Sequence, residues 1–398
     1  MKYPENVIKI MNIMSKHGYR AYAVGGCVRD AVMGREPSDW DMTTDASPEK
    51  MMEIFALEGV RTIPTGLKHG TVTVLFDKET YELTTFRIDG SYTDSRHPDE
   101  VIFTKNIEDD LARRDFTVNA MAAAPLSDIS APDSYTNAEN AEIIDVFGGI
   151  EDINNKIIRA VGDPERRFSE DALRILRAVR FAATLGFKIE ENTKKAAAKL
   201  AFGLQKVSIE RKIVELKKML VLNGADEGIG LLFELGLEKY IHPEIKKPSR
   251  SLLTLPAKFE TRMASLFFEN ENVPELSSLK LSRAESQSIK KLCDKRIFCH
   301  EISEKNARRM IFEFGELAYD AALLNQNLAL AETIYKQAKN SPCVSIAELK
   351  VSGNDLIDEG IEPRSIGKIM AYLLDRVIDE PELNEKSVLL ALAKNVEV

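Results

Sequence analysis

Up to about residue 125 the apolar positions change period repeatedly. Alternating runs such as YRAYAV, GTVTVLF and ETYELTTF predict strands, whereas SPEKMMEIFALEG, with apolar residues three and four apart, predicts a helix among them. The opening MKYPENVIKIMNIMSKHG has the same helical spacing broken by Glu5, Asn6, Lys9 and Asn12. It predicts an amphipathic helix ending near Gly18, not a signal peptide or membrane span. Beyond about residue 150 the strand pattern fades, and NNKIIRAV, DALRILRAVRFAATLG, IERKIVELKKMLVLNG and ARRMIFEFGELAYDAALL all read as helices. The expectation is an α/β or α+β region followed by a mostly helical remainder. Weak breaks fall at 241–258 and 339–348, where prolines and polar residues gather.

Composition narrows this picture. A chain of 398 residues exceeds one ordinary core and implies about two to four units. Its 44% hydrophobic and 29% charged residues describe a folded soluble protein, not a disordered one. Cys27, Cys293, Cys299 and Cys343 show neither a disulfide framework nor a CxxC pair, which fits a reducing cytoplasm, and Cys299-His300 reads as packing. The net charge of -9 argues against a uniformly basic surface but not against a local basic groove. Arg159, Arg166, Arg167, Arg174, Arg177 and Arg180 concentrate positive charge in one segment. By themselves they equally suit a solvated helix face.

The candidate chemistry begins in VGGCVRDAVMGREPSDWDMTTD. A strand ending at Val24, a turn at Gly25-Gly26 and a helix over Cys27 to Val32 bring backbone N–H groups near a ligand, and Arg29 adds charge suited to phosphate. Asp39 and Asp41, read as lying on a strand, project to one face and can grip one hard cation. Glu82, mid-strand in YELTTF, offers a third carboxylate, and Mg²⁺ is the expected ion. Alone, the Asp-x-Asp pair is also compatible with a strand edge in water.

A helix expected to begin near Ser169 places Asp171 and Arg174 on one face, three residues apart. Cytosine and adenine each present an exocyclic amine beside a ring-nitrogen acceptor, so one carboxylate and one guanidinium satisfy either base. Uracil and guanine reverse both groups. At ~1 to 3 kcal/mol per lost base contact, two reversals give a discrimination of roughly 2 to 6 kcal/mol. An intrahelical surface pair is the alternative and requires no ligand.

The ordered set GGCVRD, SDWD, GLKHGTVTV, ELTTFRIDGSYTDSRHPDEV, ARRDFTVNAMA, DVFGG, GDPERRFSEDALRILRAVRFAA and IERKIVEL, spanning about residues 20 to 220, resembles the bacterial (class II) tRNA nucleotidyltransferases. Bacterial poly(A) polymerases share that fold family. LKVSGNDLIDEGIEPRSIGKIMAYLLDRVI is similar to the family's C-terminal tail. The resemblance implies an α+β architecture: a nucleotidyltransferase head with a mixed β-sheet over 1–145, then an all-α neck (146–205), body (206–335) and tail (336–398).

It also implies residue roles. Asp39 and Asp41 would bind metal, with Glu82 as a further acidic member, and Gly26 and Arg29 would contact triphosphate. Arg114, Asp115 and Asn119 would hold the nucleotide and its ribose. Asp171 and Arg174 would select CTP and ATP without a nucleic-acid template, and Arg177 and Arg180 would contact the incoming nucleotide.

The implied partners are the tRNA 3′ end, CTP and ATP, with no membrane and no DNA, and the tail would touch the tRNA's acceptor and T-arm stack. RIDGSYTDSRHPDEV resembles a loop kept by complete CCA-adding enzymes, favouring full CCA addition. A-adding, CC-adding and poly(A)-polymerising relatives remain alternatives, as does a catalytically silent RNA-binding protein. None of His17, His69, His97, His242 and His300 precedes an Asp, so no phosphohydrolase His-Asp dyad is expected.

Overall fold

The alternating apolar runs of the N-terminal region are strands of one sheet. The computed structural model describes residues 1–90, 101–125, 141–298 and 300–396. In it the strands are β1 (Ala21–Val24), β2 (Met42–Thr44), β3 (Arg61–Gly66), β4 (Thr71–Phe76), β5 (Glu79–Thr85), β6 (Arg87–Asp89), β7 (Val101–Phe103), β8 (Ala122–Pro125) and β9 (Ala141–Ile144). Among the described residues, seven of them form one sheet in the order β3-β4-β5-β2-β1-β8-β9, and β6 and β7 pair separately. Neighbours in the large sheet run antiparallel except β2 and β5, which are parallel. The sheet is therefore mixed. The loop reading at RIDGSYTDSRHPDEV and the packing reading at Cys299 fall wholly or largely outside the described residues.

The chain divides into two compact units, Met1–Ile241 and His242–Val398. In the first, helix α1 (Glu5–Lys16) buries Val7, Ile10, Met11 and Met14, the three-and-four spacing expected of an amphipathic helix. Helix α2 (Gly26–Val32) follows β1. Ser47 caps α3 (Pro48–Leu57) by accepting from the Lys50 N–H, and α3 buries Met51, Ile54 and Phe55. The remaining helices are α4 (Ile107–Ala112), α5 (Gly149–Asn155), α6 (Pro164–Glu170), α7 (Leu173–Leu185), α8 (Glu191–Leu200), α9 (Ile209–Leu220) and α10 (Ala225–Glu234). Asp145, in DVFGG, accepts from the Gly149 and Ile150 N–H groups at 2.7 and 2.9 Å and so caps α5.

NNKIIRAV is not one helix. Asn155 ends α5, Lys156 adopts a left-handed φ of 56°, and Ile157–Ile158 runs as a strand parallel to Lys188–Ile189. Two consecutive β-branched residues and a waiting partner strand outweigh local helical spacing.

α7 packs against both α9 and α10. Its contact with α10 depends on Gly224, where a Cβ would lie 1.9 Å from the Ala183 carbonyl oxygen. Any side chain there pushes the helices apart.

The second unit contains α11 (Phe259–Ser265), α12 (Arg283–Cys293), α13 (Glu304–Phe314), α14 (Ala318–Leu324), α15 (Leu328–Lys339), α16 (Gly353–Asp358), α17 (Ile366–Asp379) and α18 (Lys386–Lys394). ARRMIFEFGELAYDAALL is split at Gly315, whose φ of 59° closes α13. The C-terminal core gathers Leu356, Ile369, Leu373, Val377 and Leu389. Arg308 donates to the Ile378 and Asp379 carbonyls at 2.7 and 2.9 Å, satisfying the end of α17.

Candidate active site

β1 and α2 meet at Gly25, whose φ of 82° and ψ of −128° suit glycine alone. A Cβ there would also stand 3.0 Å from Arg114 Nη1, so the turn closes only around a bare backbone. Gly26 is already helical and faces Arg29, its Cβ position lying 3.7 Å from Nη2.

Asp39 and Asp41 lie just before β2 and not on a strand, which corrects the expectation. Only the Asp41 carbonyl extends the sheet, accepting from the Val24 N–H at 2.9 Å. The reason is register: pairing with β1 requires just three residues of β2, leaving the carboxylates on the approach to the strand. Both still open into one cleft, of about 750 Å³, whose lining includes Trp40, Lys78, Glu79 and Glu82. Glu82 reaches it from β5, the strand beside β2.

Asp41 makes no ion pair among the described residues. The surrounding protein mass pushes its carboxyl pKa up although the side chain opens to the cleft, Arg114 pulls it down, and Asp39 raises it again. A pair of hard oxygen donors under mutual repulsion fits a divalent cation. Among the described residues no three His, Cys, Asp or Glu side chains close around one point, so the cleft presents the carboxylates without caging an ion. Beneath them, Cys27 donates to the Val24 carbonyl, and burial pushes its thiol up to about 11.

The RRDFTVNA motif forms the wall behind the turn. Buried Asp110 anchors Arg113 at 2.8 Å and Arg114 at 3.2 Å. Arg114 Nε is buried without a partner among the described residues. Asp115 accepts from Asn119 at 3.4 Å, and Asn119 Oδ1 accepts from Arg29 Nη1 at 2.7 Å. Arg29 also pairs with Asp30. Burial alone would raise the Asp115 pKa, but Arg177, then Arg174, hold it below the usual carboxylate range.

Along α7, Arg177 and Arg180 share Glu215, with Arg177 Nη1 standing 3.7 Å from its Oε1. Arg177 reaches Asp115, and Arg180 Nε donates to Glu215 at 2.5 Å. The Phe181 ring collects three cations, Arg29, Arg177 and Arg180, at 5.5, 5.2 and 4.0 Å from its centre, and meets Phe116 edge-on. One apolar residue of the run thus organises the guanidinium cluster.

Asp171 and Arg174 do not share a helix face. The helix breaks between α6 and α7, and Asp171 stands at the break with φ −143° and ψ 103°. Its side chain accepts from the Leu173 N–H at 3.0 Å, the local hydrogen bond that makes aspartate a better cap than helix interior. Its charge pairs with Arg211 of α9, Nη2 to Oδ2 at 2.6 Å. Arg174 pairs instead with Glu170 at 2.9 Å and donates to the Arg167 and Arg113 carbonyls. A direct intrahelical Asp171–Arg174 side-chain pair is therefore not formed.

Five contributors escaped the sequence reading: Asp110, Glu170, Phe181, Arg211 and Glu215. Glu215 carried a signal, a carboxylate at a core-facing position of IERKIVEL, and a buried charge of that kind demands a partner.

Residues 21–159 match the family profile "Poly A polymerase head domain", residues 186–247 the profile "Probable RNA and SrmB- binding site of polymerase A", and residues 264–393 the profile "tRNA nucleotidyltransferase domain 2 putative". A CCA-adding enzyme of Enterococcus faecalis is 35% identical over 97% of this chain and 94% of its own. One of Bacillus velezensis is 36% identical over 93% and 91%. The crystal structure of Bacillus stearothermophilus CCA-adding enzyme in complex with CTP superposes with a TM-score of 0.79 at 32% identity, covering 99% of this chain and 98% of that one.

Proposed function

The chain belongs to the family of CCA-adding enzymes, tRNA nucleotidyltransferases built on the poly(A) polymerase head, and from that membership we propose the roles its own side chains take. The enzyme adds CCA to the 3′ end of tRNA with CTP as a substrate, and we infer ATP as the second nucleotide and side chains in place of a nucleic-acid template. The observation that carries the site assignment is the cleft where Asp39 and Asp41 open beside Glu82.

Asp39 and Asp41 would hold Mg²⁺, which when bound supplies acidification of the attacking tRNA 3′-hydroxyl and charge neutralisation on the departing pyrophosphate. Arg29 and the backbone at Gly26 bind the triphosphate. Arg114, Asp115 and Asn119 orient the nucleotide and its ribose, and Arg177 and Arg180 complete the cationic wall.

Base selection falls to Asp171 and Arg174 despite the helix break. A carboxylate has about four lone-pair sites, and the contacts from Leu173 and Arg211 leave one on Oδ2. Arg174 retains its Nε–H and one Nη2–H after its three contacts. A free acceptor on Asp171 and free donors on Arg174 are the group types that complement cytosine and adenine. Uracil and guanine meet like groups at both places.

tRNA ending before CCA and tRNA ending in CC, each incubated with labelled CTP or ATP, distinguish full CCA addition from A-only or CC-only transfer. Asp171→Ala should erode the preference for CTP and ATP over UTP and GTP, and unchanged selectivity would remove it from base reading. A cytoplasmic site of action accompanies the tRNA substrate, and no helix among the described residues is long and apolar enough to cross a membrane.

A further inference from the structure

We propose that Arg211 is a positioning residue for nucleobase rejection, an inference that rests on Asp171 reading the base. Asp171 occupies the break between α6 and α7, where no helical turn fixes its side chain. Two restraints hold it. The Leu173 N–H donates to Oδ1 at 3.0 Å, and the Arg211 fork spans both oxygens, Nη2 to Oδ2 at 2.6 Å and Nη1 to Oδ1 at 3.4 Å. The pair is largely buried, the two side chains keeping 23% and 14% of their exposure, so the contact is shielded from competing water.

Recognition and rejection place different demands on this carboxylate. To accept from the amine of cytosine or adenine, Asp171 needs only an available lone pair, and the amine itself draws the carboxylate into place. Excluding uracil or guanine requires that the carboxylate be unable to swing away from the carbonyl it meets. A mobile carboxylate would rotate aside and tolerate the wrong base, so rejection depends on stiffness. The Leu173 contact restrains one oxygen and leaves rotation about the side chain open. The Arg211 fork removes that freedom and comes from α9, an element independent of the break. The stiff part of the reader is therefore carried by IERKIVEL and not by the segment that bears Asp171.

The test uses the full-length enzyme with a tRNA acceptor and measures kcat and KM for CTP, UTP, ATP and GTP in Arg211→Ala, Arg211→Lys, Asp171→Ala and the double variant. Arg211→Ala should lower the CTP-over-UTP and ATP-over-GTP ratios of kcat/KM roughly tenfold, the size of one lost base contact. The change should come chiefly from a lower KM for the wrong nucleotide. Arg211→Lys, which keeps the charge without the planar fork, should recover part of the ratio. In the Asp171→Ala background the same change should add nothing. Unaltered ratios in Arg211→Ala, an equal further loss in the double variant, or tighter CTP binding that marks Arg211 as an obstruction would each overturn the proposal. If Arg211→Ala does not fold, Arg211→Lys against Arg211→Gln gives the same comparison. Unaltered selectivity in Asp171→Ala would instead sink the base-reading assignment itself, and this inference with it.

Discussion

Arg177 closes on a single oxygen of Asp115, Nε at 2.8 Å and Nη2 at 2.7 Å, and so ties α7 to the RRD segment 62 residues earlier. Asp115 is buried, whereas Arg177 retains a third of its exposure. Removing one partner of a buried pair costs ~3 to 5 kcal/mol because a charge is left without compensation, and the partial exposure of Arg177 places the expected loss at the lower end, about 3 kcal/mol. Arg177→Ala should show it in urea unfolding, with Arg177→Lys intermediate. A midpoint within experimental error of the parent would mean that water replaces the guanidinium.

The same pair sets an acid limb. Asp115 and Asp110 both have folded-state pKa values below those of the unfolded chain although burial alone would raise them, held down by Arg177 and Arg174 in one case and Arg113 and Arg114 in the other. A depressed carboxyl stabilises the fold above its unfolded pKa, about 3.9, and that contribution is lost as pH falls through the lower folded value. Stability should decline as pH drops below about 4, and Arg177→Ala should flatten the limb by raising the folded pKa of Asp115. Parallel pH profiles for parent and variant would contradict this.

Asp41 has the opposite sign. Its folded pKa is raised first by desolvation from the protein mass around the open cleft, with Arg114 opposing the rise and Asp39 adding to it. Such a group contributes stability below its unfolded pKa and loses it as pH rises through the folded value, so at neutral pH the charged carboxylate burdens the metal-free fold. Asp41→Asn should therefore melt at a higher temperature than the parent in the presence of a chelator. It should also cut nucleotidyl transfer by at least about a hundredfold, having lost a metal-binding carboxylate. A lower melting temperature together with retained transfer would refute both halves.

Two glycines near the α7 and α10 contact should respond in opposite directions. Gly224→Ala drives a methyl group into the Ala183 carbonyl, a backbone atom that cannot rotate away, and should cost about 3 kcal/mol. At Gly230, inside α10, a Cβ would meet nothing within 4 Å. Gly230→Ala should stabilise by ~0.5 to 1 kcal/mol through helix propensity and a less flexible unfolded chain. Calorimetric melting of the two variants decides the matter, and equal shifts would show that the helices are not held at that distance.

Hydrophobic periodicity was enough to foresee β1, β4, β5, α1, α3, α7 and α9, because each buries an apolar face whose spacing local geometry dictates. The residues of the motifs were equally legible, and their order along the chain pointed to the family. Misreadings came where a local preference met a competing partner. Ile157–Ile158 found Lys188–Ile189, and Asp171 capped Leu173 and left the helix.

Helical spacing accounts for Asp110 with Arg113 and Glu170 with Arg174, but the long-range partners were in no local pattern. Asp171 lies 40 residues from Arg211, Arg180 lies 35 from Glu215, and Arg29 lies 90 from Asn119. Secondary structure depends on neighbours three or four residues away, so the linear chain carries it. Charge pairing depends on distance in space and on exclusion of water, and both arise only when α7, α9 and the RRD segment pack together. Which acid meets which arginine was settled by that packing.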